Sequence, residues 1–179
     1  MLHSMDLAVL YAVNRGCSNA FFDKVMPLIT RFGDLKVIIF LILAASILFF
    51  KRKNMRMTGL LVLVGLVVSE AIVHLLKGWI ARPRPFITLH DIHVFFHSHG
   101  GSFPSGHATA VFLVATVVYA RTRKAPYLYL GALAVAFSRI YLGVHYPTDV
   151  IAGGLIGTAV GLGVVWGYKR LSPRQDTPA

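Results

Sequence analysis

Acidic residues are scarce in this chain of 179 residues, with seven aspartates and glutamates against 18 lysines and arginines. Charged residues of both signs make up 14% of the sequence, whereas a soluble domain carries about 25%. That deficit argues against a water-soluble globule. Cysteine is nearly absent as well. The single Cys17 excludes an internal disulfide and carries no information on redox compartment. The opening Met1-Leu2-His3-Ser4-Met5-Asp6 lacks the basic region of a secretory signal, and no small-residue cleavage site follows an apolar stretch. Internal repeats and low-complexity tracts are missing too.

What is present is apolar. Hydrophobic residues make up 56% of the chain, and its mean hydropathy is +0.66. Five apolar runs stand out, at residues 35–50, 57–76, 108–120, 125–144 and 150–168. A membrane-crossing helix needs about 20 such residues. The pattern predicts an all-α, polytopic membrane helix bundle with five transmembrane helices. The runs at 35–50 and 108–120 are short for a crossing. The first is expected to extend back through Arg31 and Asp34, and the second to borrow residues from the loop before it. Residues 6–30 are mixed, with Asn14-Arg15-Gly16 interrupting and Asp23 and Lys24 inside the second half. They read either as amphipathic helices lying at the interface or as one imperfect span. Residues 1–171 are expected to form a single membrane-embedded domain, and 172–179, polar with two prolines, a disordered cytoplasmic tail.

The net charge of +11 does not point to nucleic acid, because the basic residues form no stripe with interleaved aromatics. They cluster between apolar runs. Lys51, Arg52, Lys53 and Arg56 follow the first run, Arg121, Arg123 and Lys124 the third, and Lys169, Arg170 and Arg174 the last. With five alternating spans all three clusters fall on one side, which the excess of positive charge marks as cytoplasmic. The loop 77–107 and the junction 139–149 then share the opposite, outer face.

Three polar clusters occupy that face: Lys77 with Arg82-Pro83-Arg84-Pro85, then Pro104-Ser105-Gly106-His107, then Ser138-Arg139, His145 and Asp149. Singly, each has a bland explanation. Lysine and arginine at helix ends snorkel to headgroups, and Ser105 could simply cap a helix. Together they describe an anion site. Lys77, Arg84 and Arg139 are three cations suited to a dianionic phosphate. Ser105, Gly106 and His107 open an apolar helix, where free backbone N–H groups attract anions, and Gly106 allows close backbone approach. His145 and Asp149 are four apart, and Pro147 suits a helix start between them. The carboxylate can reach back to fix the tautomer of the ring and leave its other nitrogen free for attack.

Lys77-x6-Arg84-Pro85, Pro104-Ser105-Gly106-His107 and Ser138-Arg139-x5-His145-x3-Asp149 resemble, in order and register, the three motifs of the type 2 phosphatidic acid phosphatase superfamily. That superfamily also includes bacterial acid phosphatases and vanadium haloperoxidases. The resemblance implies a lipid phosphatase working without cofactor or metal. His145 would be the nucleophile, Asp149 its orienting partner and His107 the acid that protonates the leaving oxygen. Lys77, Arg84, Ser105, Gly106 and Arg139 would bind phosphate, with Ser138 as an auxiliary. Arg82 would be available to a second phosphate or to lipid headgroups. The partner implied is a lipid phosphate in a bacterial cytoplasmic membrane, with the active site facing outward. The short N-terminal segment resembles that of small bacterial undecaprenyl diphosphate phosphatases, which makes undecaprenyl diphosphate the favoured substrate. Phosphatidylglycerol phosphate, phosphatidate and lipid A phosphates stay open.

Other residues fall outside the motifs. Glu70 and His74 share a helical face with Lys77; Glu70 is either functional, as intramembrane carboxylates are by default, or a structural ion-pair partner. His90, His93, His97 and His99 crowd the outer loop at spacings that could bind zinc, the basis for a competing reading as a metal-handling transporter. Gly153, Gly157 and Gly161 line one helix face suited to close packing, either within the monomer or in a homodimer.

Overall fold

Prolines, glycines and short polar residues cut the chain into helices where its apolar runs stop. The computed structural model describes residues 2–49 and 51–172, and every regular element among them is helical. In chain order these are α1 (Leu2–Asn14), α2 (Ala20–Thr30), a 3-10 turn (Arg31–Gly33), α3 (Leu35–Leu48), α4 (Lys53–Ile80), α5 (Pro85–Thr88), α6 (Gly106–Thr122), α7 (Leu128–Tyr141) and α8 (Pro147–Leu171). Apart from Ser172, the tail expected to be disordered lies outside the described residues.

The N-terminal segment is two helices rather than one imperfect span. Asn19 caps α2 by accepting the amides of Phe21 and Phe22, each at 3.0 Å, so the chain turns between α1 and α2. At about 1.5 Å per residue, helices of 13 and 11 residues are too short to cross a hydrocarbon core of about 30 Å. The expected extension of α3 through Arg31 and Asp34 does not occur either. The 3-10 turn precedes it, and Asp34 is extended, at φ −69° and ψ 130°. The run at 125–144 shortens to α7 because Pro126 delays its start and Gly143, at φ 72°, lies beyond its end. A side chain at Gly143 would collide with the His93 carbonyl, 2.7 Å from the position of its Cβ, so this turn requires glycine.

Among the described residues two segments are long and apolar enough to cross a membrane, Lys53–Thr88, which contains α4, and Pro147–Leu171, which is α8. The helices α3 and α7 are apolar but have 14 residues each. Large apolar side chains face outward on all four, among them Phe40, Ile47, Val67, Leu75, Leu130, Leu133, Leu155 and Leu162. An outer surface this apolar belongs in lipid. Trp79 and Trp166 are exposed at opposite ends of the bundle, as interfacial aromatics are.

Helix α6 is the axis. Its Leu113 and Val117 are fully buried with Ile38, Leu61, Val62, Leu66 and Val165 from α3, α4 and α8. The glycine stripe of α8 packs within the molecule. A Cβ at Gly153 would strike the Ser105 carbonyl and one at Gly157 the Thr109 carbonyl, and one at Gly161 would lie 3.1 Å from Thr116 Cβ. This approach of α8 to α6 draws the start of α8 against the start of α6, where the Ser105 amide donates to the Asp149 carbonyl at 2.9 Å. The C-terminal ends of α4 and α7 meet the N-terminal ends of α6 and α8 there. The basic residues Lys53 and Arg56 of α4, Arg121 of α6, and Lys169 and Arg170 of α8 sit at the other ends of these helices.

Candidate active site

Where those four helix ends meet, a cavity of about 240 Å³ is lined by Lys77, Arg84, Arg139, His107, His145, Gly106 and Glu70, with Gly33, Leu35, Val73 and others completing the wall. All three sequence motifs therefore contribute to one hollow. Ala81 ends α4 in the left-handed conformation (φ 47°). Arg82-Pro83-Arg84-Pro85, whose prolines cannot continue a helix, then turns back toward the bundle.

Arg84 is buried, and most of its donors are in use. Nε donates to the Gly100 carbonyl (3.0 Å), one terminal nitrogen to Val144 (2.9 Å) and the other to His99 (3.1 Å). The nitrogen bound to Val144 also lies 3.2 Å from His145 Nε2. A guanidinium can only donate, so Nε2 must present its lone pair and the neutral ring carries its proton on Nδ1. That proton faces Asp149, whose Oδ2 lies 3.5 Å away, too loosely placed for a good hydrogen bond. No other partner among the described residues reaches Nδ1. Asp149 itself is fixed as the cap of α8, its Oδ2 accepting the Tyr146 amide at 2.9 Å. Burial pushes the His145 imidazole down to about 3, the charges of Arg139 and Arg84 also lowering it, although Asp149 opposes them. His145 is thus a neutral imidazole with its Nε2 lone pair at the cavity, the protonation state a nucleophile needs.

The other cations have donors to spare. Lys77 Nζ gives one bond, to the Gly101 carbonyl at 3.0 Å. Arg139 is held by Thr30 Oγ1 at 2.8 Å, while its buried Nε has no hydrogen-bond partner among the described residues. An orphaned guanidinium donor at the wall of a cationic cavity is an invitation to an anion, since buried donors are otherwise satisfied. A Cβ at Gly106 would touch only Val73 Cγ1, at 3.8 Å, so its lack of a side chain keeps the hollow open. Among the described residues Glu70 is the one carboxylate lining the cavity.

The remaining candidates lie elsewhere. The Ser138 hydroxyl donates to the Val135 carbonyl at 2.6 Å and does not line the cavity. Ser105 is fully buried, with its Oγ turned to the Ala108 amide at 3.5 Å, and stabilises the start of α6 rather than lining the hollow. Arg82 is not available to a second phosphate or to headgroups. It is taken by Asp149 (2.6 Å), Asp6 (2.7 Å) and Thr148 (2.8 Å) and stacks on Tyr146. The outer-loop histidines disperse, His93 against Ser18 and His97 against Phe86. Among the described residues no three His, Cys, Asp or Glu side chains gather as metal ligands.

Several partners escaped the sequence reading. His107 Nε2 meets Asp34 Oδ1 at 2.9 Å, a second imidazole–carboxylate pair facing the first. Asp6 and Thr30 hold Arg82 and Arg139. The available signal was scarcity. With only seven acidic residues in the chain, one placed just before an apolar helix, as Asp34 is, stands out.

A family model described as the PAP2 superfamily matches residues 58–173. The chain belongs to the PAP2 superfamily. PAP2 phosphatases hydrolyse phosphate esters of lipids, the chemistry that a cationic cavity among lipid-facing helices would serve. Undecaprenyl-diphosphatase BcrC of Bacillus subtilis (strain 168) is 29% identical over 149 residues, covering 80% of this chain and 73% of that protein. The bacitracin transport permease protein BcrC of Bacillus licheniformis is 34% identical over 119 residues, 65% of this chain; the match spans only 59% of that protein's length. The crystal structure of a PAP2-type phosphatidylglycerolphosphate phosphatase from Bacillus subtilis superposes with a TM-score of 0.81 at 29% identity, covering 97% of this chain and 89% of that one.

Proposed function

We propose that this PAP2 protein is a lipid phosphatase that cleaves a terminal phosphate at the outer face of a bacterial cytoplasmic membrane through a phosphohistidine, with undecaprenyl diphosphate as its favoured substrate. The observation that carries the reading is the convergence of Lys77, Arg84, Arg139, His107 and His145 on one cavity, with the Nε2 lone pair of His145 presented to it. In this reading α3, α4, α6, α7 and α8 cross the bilayer, the shorter helices reaching both interfaces through their flanking turns and local thinning. Helices α1 and α2 lie on the outer surface.

The lipid tail stays in the bilayer, where each buried CH₂ contributes about 0.8 kcal/mol, and its headgroup rises to the cavity. The arriving phosphate takes the Arg84 donor that now rests on His145, together with free donors of Arg139 and Lys77. Nε2 attacks phosphorus in line. The bond from phosphorus to the bridging oxygen breaks, its electron pair leaves with that oxygen, and His107 supplies a proton to it. Asp149 stabilises the imidazolium character that develops on Nδ1–H. Water then attacks the phosphohistidine, with His107 accepting its proton, and inorganic phosphate departs. The three cations stabilise the equatorial oxygens throughout.

Support for undecaprenyl diphosphate is the similarity to the undecaprenyl-diphosphatase of Bacillus subtilis; the similar solved structure is a phosphatidylglycerolphosphate phosphatase, whose substrate is the alternative. The deciding experiment measures phosphate release from a panel of lipid phosphates in detergent, with and without chelator, for the wild type and His145→Ala. We expect chelator-resistant release that His145→Ala abolishes, fastest on the prenyl diphosphate. Undiminished release from a folded His145→Ala protein would refute the mechanism, and loss with chelator would point to metal chemistry.

A further inference from the structure

We propose that Asp6, on the N-terminal helix α1, is a positioning residue of the catalytic centre, acting through Arg82 on Asp149 and so on the nucleophile His145. Asp6 lies well before the matched family region, 58–173, and does not line the cavity. It is nonetheless nearly fully buried, at 4% exposure. A carboxylate is seldom buried unless it is paired, and each of its oxygens is occupied. Oδ1 accepts the backbone amide of Thr148 at 2.9 Å. Oδ2 accepts the Thr148 hydroxyl at 2.6 Å and a terminal nitrogen of Arg82 at 2.7 Å. The other terminal nitrogen of Arg82 donates to Asp149 Oδ1 at 2.6 Å and to Thr148 Oγ1 at 2.8 Å.

One guanidinium thus lies between two carboxylates, one of which faces His145 Nδ1. The charges of the trio sum to minus one. If Asp6 were neutral, Arg82 would belong to Asp149 alone, and a carboxylate spent on a tight arginine pair is a poor partner for an imidazolium. Asp6 draws half of the guanidinium away and leaves Asp149 with negative charge to offer His145 as phosphorus is attacked. It also ties α1 to the first turn of α8 through the Thr148 amide, a free donor at a helix start. That contact fixes the height of Asp149 one residue further on.

The inference rests on the phosphohistidine mechanism, and the test separates the two. Full-length wild type, Asp6→Asn, Thr148→Val and His145→Ala are compared in detergent. The readouts are single-turnover transfer of labelled phosphate from a lipid phosphate to the protein, inhibition by inorganic phosphate, and thermal unfolding. We expect Asp6→Asn to slow phosphoryl transfer by about 10–100-fold, the loss that follows when a partner orienting a metal-bound histidine is removed. Inhibition by phosphate, which depends on Lys77, Arg84 and Arg139, should not change. Thr148→Val keeps both carboxylates and the guanidinium, so it should fold even if Asp6→Asn does not, and should show a smaller loss in the same step. Normal transfer per folded molecule in Asp6→Asn, with only a lower melting temperature, makes Asp6 purely structural and overturns the proposal. So does a normal rate in Thr148→Val when Asp6→Asn cannot be obtained. Silence of Asp6→Asn beside a dead His145→Ala defeats this inference alone, whereas an active His145→Ala defeats the mechanism beneath it.

Discussion

Arg82, His107, Arg139 and Tyr141 belong to the stretch from 77 to 149, and each is held by a side chain from residues 2–34. Asp6 takes Arg82, Asp34 takes His107 and Thr30 takes Arg139. Asp23 accepts the Tyr141 hydroxyl at 2.5 Å, and Asn14 donates to the Tyr141 carbonyl at 2.7 Å. The two regions meet different demands. The later one supplies the cations and imidazoles that face the cavity, so their types and spacings must suit a phosphate of fixed size and charge. Groups in the earlier one face other side chains, where any well-placed acceptor would serve. The first demand writes a motif and the second does not.

The comparison predicts a graded set of losses. The largest belongs to the nucleophile: His145→Gln should lower phosphate release by at least about 1,000-fold, as removal of a covalent nucleophile does elsewhere, while leaving the fold intact. The same residue should shape acid stability. Its folded value near 3 lies below the ordinary value of about 6.5, so between these pH values the unfolded chain binds a proton that the folded one excludes. The stability associated with neutral His145 is complete above about pH 6.5 and falls away as pH drops toward 3. His145→Gln should therefore lose less stability than wild type when melting is followed from pH 7 to 4. An equally steep loss in both proteins would remove His145 as the cause.

Next comes Asp34→Asn, which leaves His107 a hydrogen-bond acceptor but removes the charge that favours its protonated, donating form. A missing general acid matters most when the leaving oxygen is basic. We expect about a 10–100-fold loss on an alkyl phosphate monoester, smaller than the roughly 100–10,000-fold that a general acid supplies because His107 itself stays in place. A lipid diphosphate, whose leaving group is itself a phosphate, should be affected far less. Equal losses on both substrates would mean that Asp34 positions the 3-10 turn and takes no part in proton transfer.

How much of this was readable beforehand follows the same division. The cavity-facing cations and imidazoles were visible because the spacings Lys77 to Arg84 and His145 to Asp149 are fixed by the reaction. Arg82 misled, since a second Arg-Pro beside the first looks like a second phosphate ligand; only the folded chain brings Asp6 to it across 76 positions. Ser138 misled for a related reason: adjacency to Arg139 in sequence places it one helical step off the cavity, where it bonds its own helix. Residues 6–30 were ambiguous because hydrophobicity does not distinguish burial in lipid from burial against α7. Met26 and Phe22 pack on Tyr141 and Leu142 there, and nothing local to α2 announces it. The helix ends were the weakest part, since Pro126 and the extended Asp34 decide them and run length does not.

The smallest effect tests the scaffold at its mildest point. Thr30 Oγ1 accepts from Arg139 at 2.8 Å, and Thr30→Val removes that acceptor with almost no change in volume. A single hydrogen bond to a charged group contributes about 1.5–3 kcal/mol. Part of this should be recovered here, because the freed nitrogen lies in a cavity that phosphate enters. Arg139 would still face the ligand, but less firmly aimed. The expected result is about a 3–10-fold rise in KM with kcat nearly unchanged, the pattern of lost ground-state and transition-state binding alike. Should kcat fall instead while KM holds, Thr30 would act on the transition state. The division between a region that reacts and a region that merely holds would then fail at the residue where α2 meets Arg139.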